Sequence, residues 1–524
     1  MNNSPASSNR REAGIIAAAC RSLLSSLAQA LLAQETASSL DLGASKPLFC
    51  CLEGLVRVRV SVADYLLAEE TPFLQVACGF LSAFASSADF SPDMQYAEEV
   101  LLSLLVSACR SDAPTLAKAV HRMPELLSTL CSLLTAPAAP LGRQLELLSL
   151  LNTLACAAEA CEGGVTSALA SVHGLLPWLC LRLHQLLLEG GDDGPVGSAA
   201  AQLLLALLCN IGRTDRSKTF AHCHAHRVPV LLAEALQRSP PTDLLTGGAG
   251  LALDSSLTLA ALRFLEVYAP HISEQQEEEE EEEGGGLAGG SALRVAESLL
   301  FVCADRVSMI AVNRALAALA LLAHGRCVSS ALLRPEPFSS LVAALRRAAG
   351  LLCDAAAAQA AGREEWALRS GSAYRALKIL RRACCNSQQV HRPSPELQQL
   401  IGALMDVILR APRNIQWFPA MLEAAELLQY LVLQPDIAAM FELYKSSRPP
   451  HDSRGRVVCA GDGPPLESEI LSATLKLVNE LSLPLYFAEP VEPEANRGRS
   501  PKYLPAVNSS YPESTREKGI WSIE

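Results

Sequence analysis

Apolar residues recur at helical spacing along most of this chain and are broken at short intervals by polar corners. The stretch "AAAQLLLALLCNIGRTDRSKTFAHCHAHRVPVLLAEAL" shows the unit. An apolar helix gives way to a polar break, a short helix, a second break, and a new apolar helix opened by proline. Asn210 and Pro229 stand 19 residues apart in it. The same 19-residue interval separates Leu105 from Pro124 in "VLLSLLVSACRSDAPTLAKAVHRMPELLSTL", and Ala318 from Pro337 in "VNRALAALALLAHGRCVSSALLRPEPFSSLVAAL". "LELLSLLNTLACAAEACEGGVTSALASVHGLLPWLCLRL" repeats the layout around Asn152 and Pro177, with six extra residues in the turn. Proline fits here because its fixed φ and missing N–H suit the first turn of a helix. A helix of this kind cannot bury its apolar face alone and must stack on the next unit, which is the logic of a solenoid.

The layout resembles the armadillo repeat: a helix ending in a small-Leu-x-Asn-Leu pattern, a short helix, a turn, and a proline-led helix. "LLCNIG" with Asn210 and "LLNTLA" with Asn152 carry the family's asparagine. "QVACGFLSAFASS", "LTLAALRFLEVYA", "YRALKILRRACC" and "EAAELLQYLVLQPDIAAMFELYK" extend the match over residues 75–445, enough for roughly 8–9 irregular repeats. The resemblance implies an all-α, right-handed α-solenoid whose inner groove binds an extended peptide or another protein. It also implies that the groove asparagines, here Asn152 and Asn210, hydrogen-bond the backbone of a bound peptide. Leu105 and Ala318 replace asparagine elsewhere. Leu148 and Ala206 stand four residues before the two asparagines, where nuclear-import receptors of the family carry tryptophan.

Composition supports the helical reading. Half the residues are apolar but only 5% are aromatic, and Leu and Ala dominate. "VRVRVSV" at 56–62 alternates like a strand, but it is short and lacks a partner hairpin, so it reads as helix. The net charge of −12 argues against general nucleic-acid binding. The 17 cysteines form no CxxC framework and read as small hydrophobes in a reducing compartment, so an intracellular protein, cytoplasmic or nuclear, is expected. No apolar run free of polar residues reaches the roughly 18 residues of a membrane span, and none is expected. The N-terminal stretch with Arg10, Arg11 and Arg21 superficially resembles a presequence, but Glu12 and Glu35 favour a first helix behind a disordered tip at 1–12.

Three segments interrupt the array. "EGGDDGPVGS" at 189–198 is a flexible turn. The acidic, glycine-rich stretch at 273–291 is expected to be a disordered loop dividing repeats 13–272 from repeats 292–445, because consecutive glutamates repel. A loop at 446–466 precedes a terminal helix at 467–488 and an extended tail at 489–524.

Two clusters are candidates for chemistry. In "FAHCHAHRVP", His222 and His226 are spaced i,i+4 and Cys223 is adjacent, which is a weak zinc pattern. It lacks the glutamate of HExxH and a fourth ligand, so the segment reads as a repeat corner, with no metal and no cofactor. Arg375, Lys378 and Arg382 share one helical face, beside a stripe of Tyr374, Leu377 and Leu380. In the armadillo comparison this helix type lines the groove, so the face is a candidate seat for an acidic peptide, with the acidic segment a candidate cover. Read as exposed charges worth about 0–1 kcal/mol each, the three are expected to tolerate replacement by glutamate without loss of fold. No phosphate loop, no GxSxG elbow and no strand–turn–helix context for "GGAGLALD" is present. The sequence reads as a non-catalytic protein–protein interaction scaffold. The alternatives are a structural subunit of a larger assembly, or a nucleic-acid-associated module using the Arg375 face.

Overall fold

The computed structural model describes residues 15, 18–27, 29, 46–58, 72–86, 92–137, 139–158, 164–189, 194–238, 255–282, 288–304, 308–352, 361–386, 394–412, 416–432 and 434, all within one compact unit, Met1–Gly463. The expected tip at 1–12, loop at 446–466, helix at 467–488 and tail at 489–524 lie outside these residues. The chain runs α1 (Lys46–Val58), α2 (Phe73–Ser86), α3 (Pro92–Ser111), α4 (Ala113–His121), α5 (Pro124–Thr135) and α6 (Leu141–Ala158). It continues through α7 (Gly164–Ser171), α8 (Leu175–Glu189), α9 (Gly194–Thr214), α10 (Arg216–Ala225), α11 (Val228–Arg238) and α12 (Ser255–Glu282). Then come α13 (Ala288–Ala304), α14 (Met309–Leu322), α15 (Arg326–Ala331), α16 (Pro335–Ala349), α17 (Arg363–Asn386), α18 (Pro395–Arg410) and α19 (Phe418–Val432). Among the described residues there is no strand, and α1 takes the first three residues of "VRVRVSV" as helix.

The helices stack in two layers. The first layer is α1, α3, α6, α9, α12, α14, α17 and α19, each packed on the next. The second is α2, α5, α8, α11, α13, α16 and α18, also packed in succession. This is an all-α, armadillo-like solenoid with seven paired repeats among the described residues, against the expected 8–9. The 19-residue interval has a structural meaning. Leu105, Asn210 and Ala318 lie on first-layer helices, and Pro124, Pro229 and Pro337 lie in the first turns of second-layer helices.

Leucine and alanine fill the space between the layers. On α9, Leu204, Leu205, Leu207, Leu208 and Ile211 are fully buried, each side chain contributing about 1.5–3 kcal/mol. By length and composition, 195–214 could cross a membrane, contrary to the reading of the apolar runs, because Gln202 and Asn210 dilute its hydropathy too little. In the fold, 67% of its most apolar window is buried against other helices. Gly212 is required there: a Cβ would stand 2.8 Å from the Phe220 ring of α10. Nine of the fourteen described cysteines are buried, and burial pushes the thiols of Cys131, Cys209, Cys303 and Cys384 up to about 12, so they pack as neutral side chains.

Several helix starts are capped by their own side chains, and five last-turn carbonyls take a side chain from a later helix. Asp112, Asp215, Ser308 and Ser394 each accept a backbone N–H of the turn they open. The last turns leave carbonyls without helical partners. Lys218 Nζ of α10 donates to Ala170 O of α7 at 2.8 Å, and Arg382 of α17 donates to Ala320 O of α14 at 2.8 Å. Arg347 of α16 donates to Ala304 O of α13, and Arg369 of α17 to Arg347 O of α16, both at 2.8 Å. The Tyr430 hydroxyl of α19 donates to Cys384 O of α17 at 2.9 Å. In all five the donor is the later residue in the chain.

The acidic segment differs from expectation. α12 continues to Glu282 and α13 begins at Ala288, so 273–282 and 288–291 are helical and only 283–287 lies outside the described residues. Glutamate is a strong helix former, and extending a packed helix avoids the nucleation cost, which outweighs the repulsion. The array is also not divided there. α12 packs on both α9 and α14, and α13 packs on both α11 and α16.

One ion pair is deeply placed. Glu98 of α3 is 2% exposed, with a carboxylate oxygen 2.5 Å from Arg143 of α6. Burial raises the Glu98 carboxyl from 4.5 to about 7, although Arg143 pulls the other way. Below the lower value the group is protonated folded and unfolded. Between the two values only the unfolded chain ionises, so Glu98 costs stability progressively as pH rises through that window. The melting temperature of the wild type should therefore fall relative to Glu98→Gln between about pH 5 and about pH 8. Thermal melts across that range check this; a constant offset between the two proteins would show that the carboxyl does not titrate there.

Candidate functional site

The asparagines expected in the groove lie together in the seam between two first-layer helices. Asn152 of α6 donates from Nδ2 to Leu203 O of α9 at 2.7 Å. Asn210 of α9 donates from Nδ2 to Asn152 Oδ1 and to Cys156 Sγ, both at 3.3 Å. They are only 7% and 5% exposed, so as they stand these amides tie α6 to α9. A third asparagine, missed in the sequence, acts similarly. Asn313 Oδ1 of α14 accepts from Arg375 Nη1 and from the Ser372 hydroxyl of α17. The available signal was the lone amide of a mainly apolar helix, beside Arg314.

Arg375, Lys378 and Arg382 do share one face of α17, but they are half-buried beside α14. Arg375 is held by Asn313, and Arg382 by the last-turn carbonyl of Ala320. Burial lowers the pKa of both, with Glu266 opposing it for Arg375 and Glu423 for Arg382. Lys378 differs. Its Nζ lies 3.5 Å from the Tyr374 hydroxyl and 5.6 Å from the centre of that ring, and it makes no ion pair among the described residues. Burial pushes its ammonium below the usual lysine range; Arg382 adds to this and Glu423 opposes it. Flanking charges are matched across helices: Arg314 to Glu266 at 3.2 Å, and Arg381 to Glu423 at 2.5 Å and to Glu426 at 3.1 Å.

Neither a family model nor a curated protein matches the chain. The structure is similar to the crystal structure of SYS-1, an armadillo-like protein, with a TM-score of 0.57 and 10% sequence identity over 88% of this chain and 78% of SYS-1. At that identity the likeness concerns the fold: both are helical-repeat arrays.

The histidine segment is a corner, as its sequence indicated. Cys223 is fully buried with Sγ 3.9 Å from Cys180 Sγ of α8, while His224 is exposed and its Nδ1 meets the buried Tyr268 hydroxyl at 3.3 Å. His226 is the C-cap of α10, its N–H donating to His222 O. Among the described residues, no three His, Cys, Asp or Glu side chains converge as a metal site, so Cys223 and the two spaced histidines are not assembled.

Proposed function

We propose that this chain is a non-catalytic scaffold that holds an acidic segment of a partner protein against the first layer at α14–α19. Lys378 carries the proposal. A cation kept partly out of water without a carboxylate is costly unless something pairs with it. Its neighbours are already neutralised or committed to carbonyls and amides, so Lys378 is the charge left to a partner. The helical-repeat fold supports a role in protein binding, since stacked repeats present one extended surface.

The test is recovery of partners by the full chain from its native cells, quantified by mass spectrometry, for wild type and Lys378→Glu. Partners should be recovered by the wild type, fall by about tenfold or more with the variant, and weaken with added salt. Equal recovery by both proteins would remove Lys378 from the interface. A chain that aggregates unless co-expressed with another subunit would favour the permanent-assembly reading.

A further inference from the structure

The corner after α10 holds an uncommon backbone. Arg227 has φ 53°, the only positive φ at a non-glycine among the described residues. Its N–H donates to His224 O at 2.9 Å, the left-handed closure at which glycine is the usual residue. Arginine is strained there, and strain of this kind is retained where a side chain has work to do.

Arg227 borders a cavity of about 60 Å³, whose wall also includes His224, Tyr268, Ser291, Val230 and Ile272. Three polar residues reach this wall from three elements: Arg227 from the corner, His224 from the end of α10 and Ser291 from the first turn of α13. Among the described residues, Arg227 and Ser291 make no side-chain hydrogen bond or ion pair. His224 uses Nδ1 on Tyr268. Tyr268 is fully buried, and its hydroxyl and Nδ1 share that one bond, which leaves Nε2 of His224 without a partner among the described residues. Arg294, one turn along α13 from Ser291, faces Glu234 at 4.0 Å.

We propose that this cavity seats a phosphate monoester, presented on a phosphorylated side chain of a protein partner. The size fits, because a water needs about 10–15 Å³ of such space and the cavity takes a group of four or five heavy atoms. A guanidinium, an imidazole and a hydroxyl supplied by three separate elements suit a tetrahedral oxyanion better than a planar carboxylate, and the guanidinium fork is the usual phosphate ligand. The apolar wall of Val230 and Ile272 suits the carbon stem that carries the phosphate. The site stands apart from Lys378 and does not depend on it.

The experiment is calorimetric titration of the full chain with inorganic phosphate, with a short glycine-flanked phosphoserine peptide, and with its unphosphorylated form. The phosphopeptide should bind at one per chain, about tenfold tighter than inorganic phosphate, and the unphosphorylated peptide should not bind. Arg227→Gly separates site from scaffold. It relieves the backbone, so the melting temperature should rise while phosphopeptide affinity falls at least about tenfold. His224→Ala should weaken binding as well, and Lys378→Glu should leave it unchanged. Failure of the phosphopeptide to bind, or unchanged affinity in Arg227→Gly, would overturn the site. Inorganic phosphate binding as tightly as the peptide would overturn the side-chain source, and loss in Lys378→Glu alone would move the ligand to α17.

Discussion

Aspartate at both Leu377 and Leu380 is expected to unfold the C-terminal repeats. Both leucines are 0% exposed, on a helix that packs against α14, α15, α16 and α19. Each replacement loses about 2–5 kcal/mol of leucine packing, and an unpaired carboxylate in that seam costs several kcal/mol more. The sum is comparable to the whole stability of a domain, about 5–15 kcal/mol. In a solenoid each repeat contacts its neighbours alone, so the loss should stay local. Circular dichroism should show partial loss of helix, and limited proteolysis should cut within 363–432 while the repeats before α12 resist. Wild-type helicity and protection would show that α17 tolerates charge where it is buried.

Reversing Arg375 and Arg382 to glutamate is the second large effect, and it reverses an expectation drawn from the sequence. As exposed charges they would have been dispensable. In the fold one donates to Asn313 and the other to the terminal carbonyl of α14. Glutamate would set a carboxylate against the Ala320 carbonyl oxygen and leave Asn313 Oδ1 without its charged donor. Charge-assisted bonds contribute about 1.5–3 kcal/mol each, so a loss on the order of 3 kcal/mol or more is expected, read as a lower urea midpoint. Lys378→Ala should shift that midpoint little, because its contacts are a 3.5 Å approach and a ring face. If all three variants unfold alike, the assignment of separate roles fails.

The layers were legible because periodicity and proline placement are local properties that packing reinforces. The interval from Asn210 to Pro229 marks a first-layer helix and the opening of a second-layer one. Depth was not legible. Spacing puts Arg375, Lys378 and Arg382 on one face of a helix but does not reveal that α14 covers part of that face. The asparagines were found, but their mutual bond joins residues 58 apart. The acidic run misled because repulsion was weighed without the packed helix that precedes it. The strain at Arg227 depends on a backbone angle that an arginine in a polar corner does not announce.

The one-way direction of the borrowed helix caps bears on how the chain is made. Lys218, Arg347, Arg369, Arg382 and Tyr430 each complete a helix that was translated before them. On the ribosome each of these carbonyls emerges before its side-chain donor, which follows some 22 to 62 residues later. Repeats therefore mature in order, each fixed by the arrival of its successor, and a translational pause inside the array would hold the most recent unit in its least protected form.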